Sequence, residues 1–173
     1  IAILGITPDR PETGYGYIKS NPTPADAAVV ARFVEKPDVA TARQYLEEGG
    51  YHWNSGIFVL KASVWLAALE AFRPDIAEAT RQAFALRKAD DAFIRPDKAA
   101  FLQIPSESVD YAVMERCPGS AHDIRMVPLD AGWNDLGAWD AVWQVAHKDD
   151  AGNAALGDTL VRDCHNTLVH ASS

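Results

Sequence analysis

Three short runs set chemically capable side chains against apolar stretches: PETGYGYI at residues 11–18, FVEKP at 33–37 and WNDLGAW at 133–139. FVEKP places Glu35 and Lys36 where an apolar strand leaves its sheet, and the carboxyl ends of strands are where open α/β sheets bind ligands. Adjacent residues there point different ways, so an ammonium could meet a phosphate while a carboxylate serves another part of the same ligand. By spacing alone, however, Glu-Lys before Pro reads as a solvated strand end. In WNDLGAW, Asp135 lies between a strand-like segment and a helix start. It could cap the helix by accepting a backbone N–H, or act as an oxygen ligand for Mg²⁺, which takes one or two carboxylates together with phosphate oxygens and water.

Other runs point the same way with the same ambiguity. Asn54-Ser55-Gly56 interrupts an apolar stretch, a polar break that a buried strand does not choose for stability. An amide there can donate to and accept from sugar hydroxyls, or the break can be a β-bulge satisfied by neighbouring backbone. Gly14 and Gly16 expose backbone N–H groups to a ligand, or simply make a tight turn. In SESVDYAVME (106–115), Ser108 is a plausible N-cap and Asp110 falls in the first helical turn. No Ser/His/Asp triad or cysteine nucleophile is indicated, because no His lies in a nucleophile setting. The chemistry these groups suit is work on a sugar phosphate.

Composition narrows the partners. Sixteen Lys and Arg against 24 Asp and Glu give a net charge of −8, with no basic cluster longer than a pair. Nucleic acid is therefore excluded as an expected partner, since backbone binding needs a basic stripe to displace counterions. The longest apolar stretch, near residues 57–69, contains Lys61 and falls short of the roughly 20 residues that span a bilayer, so no membrane partner is expected. Cys117 and Cys164 stand far apart without CxxC spacing, which signals neither a zinc site nor a disulfide framework and fits a reducing, cytoplasmic setting. Cys164, His165 and His170 do not read as metal ligands, because neighbouring strand positions face opposite ways.

The elements that must position these groups follow from periodicity. Residues 1–6 read as a buried strand needing neighbours on both sides, so the chain is expected to be a piece of something longer. Strands are expected at about 15–19, 27–34, 53–60 and 123–128, with a polar loop at 20–26. Asp38 should cap a helix whose Val39, Ala42, Tyr45 and Leu46 share a face and which Gly49-Gly50 stops. Ser63 should cap a second helix, Pro74 open a third to about residue 87, and a shorter one should span 109–116. A last helix at 136–146 would pack Trp139, Val142, Trp143 and Ala146 into the core, followed by a surface linker at 148–153 and short terminal strands. Strands alternating with helices predict an α/β layered fold.

Taken in order, GITPDRPETGYGYI, ARFVEKPD, WNSGIFVL, ESVDYAVME and GWNDLGAWDAVW resemble the mannose-1-phosphate guanylyltransferases among the sugar nucleotidyltransferases, in the bacterial long form that is often fused to a phosphomannose isomerase. The resemblance implies part of a Rossmann-like nucleotidyltransferase domain, a mixed sheet flanked by helices, over residues 1–150, with the first strands of a C-terminal β-helix-like region over 151–173. It implies that Lys36 holds the phosphate of mannose 1-phosphate, that Glu35, Asn54 and the Gly14 backbone form the sugar pocket, and that Asp135 binds Mg²⁺. Asp110 lies in a family motif and is included among the substrate-binding residues. The implied reaction transfers GMP from GTP to mannose 1-phosphate, for polysaccharide biosynthesis. The family's glycine-rich nucleotide-binding signature would precede Ile1 and is absent here, so this stretch alone is expected to be inactive. A homodimer and a fused isomerase domain are compatible partners. The alternatives are a non-catalytic sugar-phosphate-binding module, or a relative using another hexose 1-phosphate or nucleotide.

Overall fold

The computed structural model describes residues 1–21 and 27–172, so most of the expected loop at 20–26 lies outside the described residues. The chain forms two compact units, Ile1–Asp130 and Ala131–Ser173. In the first, β1 (Ala2–Ile6), β2 (Tyr17–Asn21) and β3 (Ala28–Val34) precede α1 (Val39–Glu48) and β4 (Tyr51–Val59). Helices α2 (Ala62–Phe72) and α3 (Pro74–Ala85) follow, then the hairpin β5 (Lys88–Asp90) and β6 (Phe93–Arg95) and the short α4 (Lys98–Phe101). Helix α5 (Val109–Ala112), a 3₁₀ turn at Met114–Arg116 and β7 (Arg125–Pro128) complete the unit.

Five strands join edge to edge in the order β1-β4-β2-β3-β7, and β7 closes the ring by pairing parallel with β1 and antiparallel with β3. The sheet is mixed, and β1 is flanked on both sides as the apolar run at 1–6 requires. Alternation along β2 sends neighbouring residues to opposite faces. Ile18 enters the main core with Ile3, Phe33, Met114 and Met126, against α2, α3 and the 109–117 segment. Tyr17 faces Tyr45 of α1, and Tyr45 stacks on Tyr51 at 4.1 Å between ring centroids. Each fully buried aliphatic side chain here is worth about 1.5–3 kcal/mol of hydrophobic stabilisation.

The helix signals are realised unevenly. Asp38 accepts the Thr41 N–H at 2.7 Å, and Gly49 ends α1 with a left-handed φ of 71°, the backbone that favours glycine. Ala42 and Tyr45 are buried, but Val39 is exposed. Helix α2 starts at Ala62 behind Lys61, with no side-chain cap, so Ser63 sits inside the first turn rather than at the cap. Hairpin β5-β6 was not expected: its strands are three residues each and exposed, so no alternation marks them. The stretch expected as a buried strand at 53–60 is strand β4, but Ile57 and Val59 are exposed.

In the second unit, α6 (Trp139–Val145) is followed by β8 (Ala154–Leu156) and β9 (Leu168–His170), which pair in parallel. The helix begins three residues later than its periodicity suggests, because Leu136 takes φ 52° and residues 134–137 form side-chain-to-backbone turns. Trp139 is 69% exposed, which corrects its expected place in the core; Ala141 is the buried residue of this helix. Trp143 instead donates its Nε1–H to the Gly152 carbonyl at 2.9 Å. Residues 148–153 form a turn in which Asp149 accepts the N–H groups of Ala151 and Asn153.

Candidate functional site

The end of β3 behaves as two different residues in one turn. Glu35 turns inward, its side chain only 8% exposed, whereas Lys36 keeps 58% of its side chain in solvent and holds Nζ 3.3 Å from Glu35 Oε1. The solvated strand end expected from spacing therefore describes Lys36 and not Glu35. Lys36 adopts φ 46°, a left-handed conformation that costs a residue with a Cβ about 1–2 kcal/mol. Such a position persists only where its surroundings enforce it.

Those surroundings come from three other elements. Glu115, in the 3₁₀ turn, accepts the backbone N–H of Glu35 at 2.7 Å across 80 residues of sequence. Gly16, just before β2, lies directly beneath Glu35: a methyl group there would sit 2.5 Å from Glu35 Oε2 and 3.3 Å from the Asn54 Cβ. Asn54, on β4, is buried and donates from Nδ2 to Asp110 Oδ1 at 3.1 Å, while its Oδ1 accepts the Gly56 N–H at 3.0 Å. Register explains why these groups meet. Tyr17 pairs with both Val34 and Trp53, so the residues just beyond them, Gly16, Glu35 and Asn54, share one end of the sheet.

Of the two readings of Asn54-Ser55-Gly56, the bulge is what the structure contains. Register between β1 and β4 shifts between Ile3 and Gly5, so this segment is a bulge, and Ser55 Oγ ties it to the Leu4 carbonyl at 2.8 Å. The bulge also turns the amide of Asn54 toward Asp110. Asp110 in turn is aimed by α5, capped by Ser108, whose Oγ accepts the Tyr111 N–H. That segment is fastened from below: Arg73 forms ion pairs with Asp75 and Glu107, and Arg116 donates to the Phe72 carbonyl at 3.0 Å.

Charge in the site is costly. Burial, then the nearby charge of Asp110, pushes the Glu35 carboxyl above its ordinary range, against the downward pull of Lys36. Asp110 is raised as well, chiefly by burial, despite its hydrogen bonds from backbone and from Asn54. Glu35 Oε2 is buried and has no hydrogen-bond partner. A carboxylate oxygen in that state is an acceptor waiting for a donor, because burial without a hydrogen bond is unfavourable.

Structure thus brings Glu35, Lys36, Asn54 and Asp110 together. Gly14 lies in the exposed turn just before, its N–H donated to Glu12 Oε1 at 3.0 Å. Asp135 belongs to the second unit, where its Oδ1 accepts the Gly137 N–H at 3.2 Å and its Oδ2 lies 2.8 Å from where a Cβ on Gly137 would be. Sequence reasoning passed over Glu115, which shows only as the last letter of a motif. Among the described residues, no group of three or more His, Cys, Asp or Glu could hold a metal, so a cation held here would draw on few protein oxygens. An exposed carboxylate set over a glycine suits Mg²⁺ in that role, since Mg²⁺ retains water and phosphate ligands.

Comparison with known proteins gives this geometry its context. The chain is 49% identical over 172 residues to the xanthan biosynthesis protein XanB of Xanthomonas campestris, and 44% identical over 178 residues to the mannose-1-phosphate guanylyltransferase of Escherichia coli. It is 43% identical over 175 residues to the alginate biosynthesis protein AlgA of Pseudomonas aeruginosa. These alignments take in 99–100% of the chain but 36% of each relative, so the chain spans little more than a third of their length. Among solved structures, a Thermus thermophilus protein described as a mannose-1-phosphate geranyltransferase matches 98% of the chain and 48% of its own, at 31% identity and a TM-score of 0.80. A Helicobacter pylori mannose-6-phosphate isomerase matches 78% of the chain and 51% of its own, at 33% identity and a TM-score of 0.68. The pattern defining one family, Nucleotidyl transferase, covers residues 1–152 and with them every site residue described above, and the chain belongs to that family.

Proposed function

We propose that this chain supplies the sugar-phosphate side of a mannose-1-phosphate guanylyltransferase, which transfers GMP from GTP to mannose 1-phosphate and releases pyrophosphate. The observation that carries the reading is the pair at the end of β3: a buried Glu35 oxygen without a donor, beside a Lys36 ammonium left accessible. A hexose hydroxyl would satisfy the first and a phosphate the second. The identity of the hexose and nucleotide rests on the relatives named above.

In that reaction a phosphate oxygen of mannose 1-phosphate attacks the α-phosphorus of GTP. A new P–O bond forms as the bond from that phosphorus to the pyrophosphate oxygen breaks, and pyrophosphate leaves with the electron pair. The attacking oxygen is already anionic near neutral pH, so no side chain has to remove a proton. This chain contributes position and charge: Glu35, Asn54 and Asp110 would orient the hexose with the Gly14 backbone alongside, and Lys36 would offset repulsion between the two anions. Asp135 would hold Mg²⁺, which when bound neutralises phosphate charge.

Two further assignments belong to the same reading. The parallel β8–β9 pair would begin a β-helix-like region, supported by the family pattern ending at residue 152. A cytoplasmic setting is supported by the free Cys117 and Cys164; among the described residues, no helix is long and apolar enough to cross a membrane. The deciding experiment gives the full-length protein GTP, Mg²⁺ and mannose 1-phosphate and follows pyrophosphate and GDP-mannose. Both products should appear, with glucose 1-phosphate a much poorer substrate. Sugar-phosphate binding without pyrophosphate release would identify a binding module instead.

A further inference from the structure

The turn that presents Lys36 is not held by its own strand. Beyond Val34 the β2–β3 ladder has ended, and the N–H of Glu35 would be left without a strand partner at a half-buried place. Glu115 fills that role with a charged acceptor at 2.7 Å, the strong kind of hydrogen bond. Its backbone cannot drift, because Val113, Met114 and Cys117 around it are fully buried in the main core and Arg116 is fastened to the Phe72 carbonyl. One carboxylate therefore connects the core to the backbone N–H of the residue that precedes a left-handed Lys36.

We infer that Glu115 is a positioning residue for sugar-phosphate binding: by holding the Glu35 N–H it fixes the turn that sends the Glu35 carboxylate inward and the Lys36 ammonium outward. This rests on the functional reading above and adds to it a residue that need not touch the substrate. The Glu115 charge adds a minor contribution to raising both Glu35 and Asp110, behind burial.

The test compares wild type, Glu115→Ala and Glu115→Gln in the full-length protein, with KM measured separately for mannose 1-phosphate and GTP. Glu115→Ala should raise KM for the sugar phosphate on the order of 10- to 100-fold and leave KM for GTP nearly unchanged. Glu115→Gln keeps an acceptor oxygen and should recover most of that loss. Equal rises in both KM values, or a Glu115→Gln variant that recovers none of the loss, would overturn the inference. If Glu115→Ala does not fold, Glu115→Leu, which keeps the bulk but likewise lacks an acceptor, is read by the same two KM values. Absence of transfer by the wild type would overturn the functional reading and this inference with it, whereas an active wild type with unaffected variants overturns this inference only.

Discussion

At Glu35 the chain keeps a carboxylate where it costs folding free energy. Its carboxyl is raised by burial and by Asp110, so the folded state binds that proton more tightly than the unfolded state. The stability linked to this group is present below the ordinary carboxylate range and is lost as pH rises through the raised value. Glu35→Gln removes the loss. Its Tm should exceed that of wild type near neutral pH, with the gap closing as pH falls toward about 4. A gap independent of pH would refute this account of the site. The same substitution should weaken sugar-phosphate binding, as expected where function and stability compete. At Lys36, truncation to Ala should raise KM for mannose 1-phosphate and lower kcat, together costing roughly 2 to 4 kcal/mol of transition-state stabilisation. Unchanged kinetics would remove Lys36 from the site.

At the scale of elements, the site is an intersection of ends: the two residues after β3, the residue before β2, a bulge in β4 and the first turn of α5. None of these ends is rigid by itself. Helix α5 is a single turn of four residues, too short to persist in isolation, and depends on its cap and on the ion pair of Arg73 with Glu107. Ser108→Ala should therefore cost about 1 kcal/mol in denaturant unfolding. Because Asp110 rides on that turn, the variant should also raise KM for the sugar phosphate while sparing GTP. A stability loss with no kinetic change would mean that Asp110 is aimed by its bond to Asn54 alone.

At the largest scale, the net charge of −8 would work against the two anionic substrates of the proposed reaction, so local cations would have to supply the favourable field. Lys36 and Asp135 stand in different compact units, and their effects should separate in kinetics. Asp135→Asn should demand more Mg²⁺ for half-maximal activity, with the sugar-phosphate KM at saturating metal close to that of wild type; a normal Mg²⁺ titration would leave Asp135 as a turn residue that accepts the Gly137 N–H. The local readings succeeded where a residue's neighbours in sequence dictate its physics. Asp38 caps, Gly49 stops, Ser108 caps, and the apolar runs at 1–6 and 27–34 become strands, because capping and alternation are short-range. Types and spacing marked Glu35, Lys36, Asn54 and Asp110 as polar groups beside apolar runs but left their roles open, and only the resemblance assigned them to a substrate. Periodicity failed at Trp139, whose helix starts late behind a left-handed Leu136, and at hairpin β5-β6, whose exposed strands show no alternation. Three matters were decided by tertiary structure alone: that β7 closes the ring, that Glu35 is buried while Lys36 is not, and that Glu115 holds the turn between them. Each depends on groups brought together from distant parts of the chain, and burial and hydrogen bonding of that kind exist only after the chain has folded.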